Sequence, residues 1–155
     1  MRVLIVAVGQ KIPAWVQAGI DDFAKRMPPE WHFEIKAIKT PTRGGQRIDQ
    51  LMAQERAKLE TFIPKGAWVV AMDERGEAWT THQFAERVQQ WQGQGRDLVF
   101  VIGGPDGIQP EWRNQCDIRM RLSHMTLPHA MARLVLVEQI YRAWSVITQH
   151  PYHRE

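Results

Sequence analysis

Two rhythms of apolar positions run along the chain. Arg2–Val8 is an almost unbroken apolar run closed by Gly9, and Ala67–Met72 and Leu98–Ile102 repeat the pattern. Short apolar runs bounded by turn residues read as strands buried on both faces. Trp31, Phe33, Ile35 and Ala37 instead alternate with His32, Glu34 and Lys36, which predicts a strand over Trp31–Ile38. Ile118, Met120 and Leu122 alternate in the same way and predict a short last strand.

Helical spacing fills the intervals. Trp15, Val16, Ile20, Phe23 and Met27 follow Pro13, which can open a helix, and Pro28-Pro29 stops them. Ile48, Leu51, Met52, Glu55, Leu59 and Phe62 predict a second helix, closed before Pro64 and Gly66. Thr80 and Gln83 form a capping box ahead of Phe84, Val88 and Trp91, and Gly93 or Gly95 ends that helix. Pro110 opens a short helix through Cys116, and Ala130–Ser145 reads as a long closing helix. On that last helix Val137 and Ile140 lie beside Leu134 and Tyr141, so it is apolar nearly all round. Such a helix must be buried, and this predicts that a second copy of the chain covers part of it.

Strand and helix alternate from start to end. The expectation is therefore one α/β domain over residues 1–155, a mostly parallel sheet flanked by helices. Ligands bind beyond the carboxyl ends of such strands. That points to four loops: Gly9–Pro13, Asp73–Trp79, Gly103–Gln109 and Ser123–His129.

Composition narrows the class. The chain has 155 residues, 44% hydrophobic and 24% charged, which excludes disordered and collagen-like classes. No apolar run is long enough to span a bilayer, and Val3–Val8 is too short for a signal sequence. The net charge of +3 permits an acidic partner such as RNA without requiring one. A lone Cys116 excludes an internal disulfide and a cysteine-rich zinc site. It reads as a small buried hydrophobe and indicates a reducing, cytoplasmic compartment. No histidine, cysteine and carboxylate spacing suggests a metal. The seven Trp read as core and interface.

Dinucleotide, P-loop and nucleophile-elbow motifs are absent. What stands out is Gly103-Gly104-Pro105-Asp106-Gly107 directly after a buried run. Three Gly in five residues exceed what a turn needs, so the segment predicts close approach of the backbone to a ligand. On this reading a bulky residue at Gly104 would fill the ligand's space. The loop Leu122–His129 alone reads as an ordinary connection.

Together these segments carry a resemblance. Ile102–Gly107, then Leu122-Ser123 with Thr126-Leu127-Pro128-His129, then Ala132-Arg133 and Glu138–Ser145 resemble the SPOUT superfamily of RNA methyltransferases. From Val6-Ala7-Val8-Gly9 to His150–Glu155 the chain is similar to the ribosomal large-subunit pseudouridine N3-methyltransferase family. The resemblance implies a deep trefoil knot over residues 98–147 with a tail at 148–155. It implies S-adenosylmethionine as cofactor, 23S rRNA as substrate, either isolated or in the assembled ribosome, and a homodimer formed around the knot. A non-catalytic RNA-binding or ribosome-assembly protein on the same fold is the alternative.

Carried over residue by residue, the cofactor site is Met72, Asp73, Gly103, Gly104, Leu122, Ser123, His124, Met125, Thr126, Leu127 and Pro128. Recognition there falls mainly on the backbone, so the side chains of His124 and Met125 are not expected to matter. Methyl transfer to an imide nitrogen needs in-line positioning, a group that stabilises charge on the ring carbonyls, or a base for the proton. The candidates are Arg142, His153 and Arg154, ahead of His129 and Glu138. Arg43 and Arg47, in the basic loop Thr40–Arg47, and Tyr152 are the candidate RNA contacts. The tail is expected to be a flexible strap that reaches the cofactor site of a partner copy.

Overall fold

The computed structural model describes residues 1–154. It contains five strands, β1 (Val3–Val8), β2 (Glu34–Ile38), β3 (Trp68–Ala78), β4 (Leu98–Ile102) and β5 (Ile118–Arg121). Five helices follow them in turn: α1 (Ala14–Arg26), α2 (Ile48–Glu60), α3 (Thr81–Gly93), α4 (Pro110–Gln115) and α5 (His129–Ile147). The strands form one sheet in the order β2-β1-β4-β3-β5, and every pairing is parallel.

The unbroken apolar runs are explained by two cores. Successive side chains on a strand face opposite ways. Val3, Ile5 and Ala7 of β1 join Leu98, Phe100 and Ile102 of β4 in a core that also takes in Val16 and Ile20 of α1, Phe84 and Val88 of α3, and Leu136 and Ile140 of α5. Leu4, Val6 and Val8 join Val99 and Val101 on the other face, with Leu59 of α2 and Trp112 of α4. Each fully buried Leu, Ile or Phe here contributes roughly 1.5–3 kcal/mol relative to exposure.

The Thr80 box is present: its hydroxyl accepts from the Gln83 amide N–H, and the Gln83 side chain accepts from the Thr80 N–H. Other expectations change. Trp31 does not enter β2. It sits in a 3-10 turn (Pro29–Trp31), 1% exposed, while His32 turns the chain with a left-handed φ of 43°. The Asp73–Trp79 segment is mostly strand: β3 runs on to Ala78 through a bulge, with both Met72 and Glu77 opposite Met120. Trp15 is not core, being 64% exposed on the first turn of α1.

The apolar surplus of α5 is covered within one chain. Val137 and Ile140 are 0% and 1% exposed, and α5 packs on α1 and α3. The composition of α5 therefore does not by itself call for a second copy.

Candidate functional site

The strands all point the same way, so their carboxyl ends gather at one edge. A cleft of about 810 Å³ opens there. Its walls are Val8 and Gly9 at the end of β1, Met72–Arg75 in the β3 bulge, Ile102–Ile108 at and beyond the end of β4, Met120–Ser123 and Met125–Leu127 at and beyond the end of β5, and His129 and Ala132 at the start of α5. Of the residues proposed for the cofactor, Met72, Asp73, Gly103, Gly104, Leu122, Ser123, Met125, Thr126 and Leu127 line it. His124 and Pro128 do not; both are exposed, and Pro128 serves as the residue that precedes α5.

The glycines have a different reason from the one the sequence suggested. A Cβ on Gly103 would lie 2.6 Å from the carbonyl carbon of Gly107, and one on Gly104 would lie 2.6 Å from Glu55 Oε2. Gly107 donates its N–H to the Gly104 carbonyl at 2.9 Å and has a φ of 84°. The three glycines thus let the loop fold on itself and against α2. A bulky residue at Gly104 would collide with Glu55 and Val8 before it filled the cleft.

Glu55 is itself buried, and burial first, then the charge of Asp106, raise its pKa against the pull of Arg43. Arg43 ion-pairs with Asp106, so the basic loop is fastened to the glycine-rich one; Arg47 pairs with Asp49 at 3.1 Å.

Arginines at the cleft wall were not foreseen from the sequence. Arg75, Arg113 and Arg121 all line it, and the Nε atoms of Arg113 and Arg121 are buried without a hydrogen-bond partner. The nearest counter-charge to Arg113 Nε is Asp73 Oδ2 at 3.7 Å. A buried N–H group without a partner costs about 1–3 kcal/mol. Apolar Met72, Ile102, Met120, Leu122 and Leu127 face the same space as main-chain groups of two loops. A flat heterocycle with an apolar face and main-chain partners, joined to an anionic end group, fits this lining. The volume is in the ordinary range of roughly 300–1,000 Å³ for small-ligand sites. Among the described residues no group of three or more His, Cys, Asp or Glu could hold a metal ion.

At the mouth, Arg133 is 3% exposed and donates to the Gly9 carbonyl at 2.8 Å. The same nitrogen stands 3.1 Å from His129 Nε2. Burial and then the Arg133 charge hold the His129 ring below the ordinary histidine range.

The charged candidates lie elsewhere. Arg142 is thirteen residues along α5 from His129, roughly 20 Å at 1.5 Å per residue, and none of the described tail residues lines the cleft. Through Tyr152 and His153 the described tail is docked on its own chain and is no loose strap. Tyr152 packs edge-on against Tyr141 at 4.8 Å between ring centres, with the Arg142 guanidinium 5.0 Å over its face. Its hydroxyl donates to Glu138 Oε1 at 2.9 Å, an oxygen that also accepts from Arg142 Nε at 2.8 Å. Burial, then the Glu138 bond, raises the Tyr152 pKa, so the phenol stays protonated at neutral pH.

His153 Nδ1 lies 3.2 Å from Ser145 Oγ, whose own proton goes to the Arg142 carbonyl at 2.6 Å. Nδ1 is therefore the donor, and a neutral His153 keeps the lone pair on Nε2. Arg154 is exposed.

Comparison with known proteins follows the same lines. A family model described as "Predicted SPOUT methyltransferase" matches residues 1–153. Proteins named ribosomal RNA large subunit methyltransferase H from Acidovorax ebreus and Burkholderia ambifaria are 54% and 52% identical over 155 residues. The Acidovorax alignment covers 100% of both chains and the Burkholderia alignment 99% of each. Among solved structures, a putative methylase family protein from Neisseria gonorrhoeae shares the fold at 14% identity. Its TM-score is 0.54, with 91% of this chain and 82% of that one covered.

Proposed function

The chain belongs to the SPOUT methyltransferase family, and on that premise we propose that it methylates N3 of a pseudouridine in 23S rRNA with S-adenosylmethionine as donor. The observation that carries this is the cleft, because the segments that resemble the family's cofactor loops, Met72-Asp73, Gly103-Gly104 and Leu122–Leu127, converge on it. The cofactor, when bound, supplies an electrophilic methyl group on a sulfonium.

The residues present then have separable tasks. Main-chain groups of Ile102–Gly104 and Leu122–Leu127, with the apolar side chains of Met72, Met120 and Leu127, would hold the heterocycle. The Arg113 or Arg121 guanidinium would answer the anionic end. Asp73 and Glu74 add negative charge near a cation. Nothing in the cleft needs to act as a nucleophile, since placing donor and acceptor in line supplies much of the rate.

The acceptor side needs what the cleft lacks. Arg142, His153, Arg154 and Tyr152 sit at the far end of α5 from their own cleft. We therefore read the working unit as a homodimer in which the tail of one copy faces the cleft of the other. There His153 Nε2 would take the imide proton, and Arg142 or Arg154 would hold charge on the ring carbonyls. Arg43 and Arg47 would contact RNA phosphates. The trefoil knot over residues 98–147, an assembled-ribosome substrate and a cytoplasmic location belong to the same reading. No helix among the described residues is long and apolar enough to cross a membrane.

The test pairs cofactor titration with mass spectrometry of 23S rRNA from cells with and without the gene. Micromolar cofactor binding, about −8 kcal/mol, and loss of one methyl group on a pseudouridine are expected. No binding at millimolar cofactor would point to the non-catalytic alternative.

A further inference from the structure

His129 opens α5 and lines the cleft, and its ring is set by a neighbour that can only donate. Arg133, one turn on, places Nη2 3.1 Å from His129 Nε2. The same Nη2 donates to the Gly9 carbonyl at 2.8 Å and lies 3.5 Å from the Val8 carbonyl, so Arg133 is anchored in the end of β1. Gly9 permits this with a φ of 109°, which L side chains rarely adopt, while a Cβ there would meet both groups only at ordinary contact distance, 3.7 Å from His129 Nε2 and 3.8 Å from Arg133 Nη2.

A guanidinium has five donors and no acceptor. His129 Nε2 must therefore accept, and the ring proton resides on Nδ1. An imidazolium would set donor against donor, and the positive end of the α5 dipole disfavours it further. The outcome is a neutral histidine in one fixed tautomer at the mouth of the cleft. A neutral imidazole N–H is a donor that keeps its proton while it polarises a carbonyl.

We propose that His129 is a catalytic residue whose Nδ1–H donates to a ring carbonyl oxygen of the acceptor base, with Arg133 as the positioning residue that fixes its tautomer. This rests on the reading that an imide nitrogen is methylated. In that step the N3–H proton leaves to a base, His153 in the reading above. The N3 electron pair forms the new bond to the methyl carbon, and the C–S electron pair stays on sulfur. Negative charge shared with the ring carbonyls during this exchange is what the Nδ1–H would hold.

Three measurements test the role. In ¹⁵N NMR of the whole protein at neutral pH, His129 should show a protonated Nδ1 and a bare Nε2. An Nε2–H tautomer or an imidazolium would overturn the proposal. In steady-state methylation of ribosomes, His129→Ala should lower kcat by about ten- to a thousandfold, with cofactor affinity within threefold of wild type. His129→Gln should recover much of that loss, because its amide accepts from Arg133 and still donates.

Wild-type kcat in His129→Ala, or equal loss in the Gln variant, would overturn it. So would loss of cofactor binding in His129→Ala, which would assign the residue to the cofactor. Absence of methylation by the wild-type protein would instead fail the reading of the reaction, a result distinct from these.

Discussion

The two ends of α5 differ in kind. At its start the helix meets an open cleft built from strand ends and main-chain loops, with arginine N–H groups still lacking partners. At its far end Glu138, Arg142, Ser145, Tyr152 and His153 bond to one another, ringed by Phe23 and Tyr141. The first region is shaped to be completed by a ligand. The second is complete as a structure and holds the residues proposed above for the acid–base and charge-stabilising tasks. On the proposed function, binding and proton chemistry are divided between regions roughly 20 Å apart on one chain, and a second copy is what brings them together.

Removing the second region is expected to have the largest effect. Deleting Tyr152–Glu155 should lower methylation by about a thousandfold, while circular dichroism and cofactor affinity stay near wild type. Wild-type turnover in the truncated protein would move the chemistry to Arg142 and the rest of α5.

A smaller effect should come from the first region. Gly103→Val forces a side chain into the Gly107 carbonyl, so calorimetry should show cofactor affinity reduced by about a hundredfold, near 2.7 kcal/mol. The tail's fluorescence and packing should not change. If both regions respond to either change, the division is wrong.

The smallest effect concerns pH. Glu55 has a raised pKa in the folded state, so the folded chain holds a proton that the unfolded chain loses near pH 4.3 or so. The contribution of Glu55 to stability should therefore be greatest below that point and be lost as pH rises through its folded pKa. Glu55→Gln should flatten this dependence and stabilise the protein at neutral pH. Unchanged pH dependence of thermal unfolding in the variant would show that Glu55 is ordinary.

Much of the frame was readable because local signals and burial agree. Val3–Val8 and Leu98–Ile102 are buried at every position, as unbroken apolar runs in a two-faced parallel sheet must be. The Thr80 box is a local contact, so spacing alone finds it. β3 misled because Asp73–Gly76 is polar and turn-like; only pairing with β5 on both sides of the bulge makes it strand.

The glycine-rich loop was placed at the cleft correctly, but its glycines answer to Gly107 and Glu55 across the fold. Arg113 and Arg121 carried no signal, since a lone arginine reads as solvated until its neighbours are known; Arg133 entered only as part of the family resemblance, with no role attached. Trp15 shows the converse: helical spacing marks a face, and nothing local says that the first turn of α1 stays uncovered.

The central claim is that a cleft and a tail from two copies form one site, and mixing two defective variants tests it most directly. Gly103→Val lacks a working cleft, and the chain without Tyr152–Glu155 lacks a working tail. Co-refolded in equal amounts, they should form mixed dimers in half of all pairs, each with one intact site. Methylation should then return to about a quarter of the wild-type rate, as isologous C2 pairing requires. A mixture no more active than its components would contradict the account and place cleft and tail in service of the same chain.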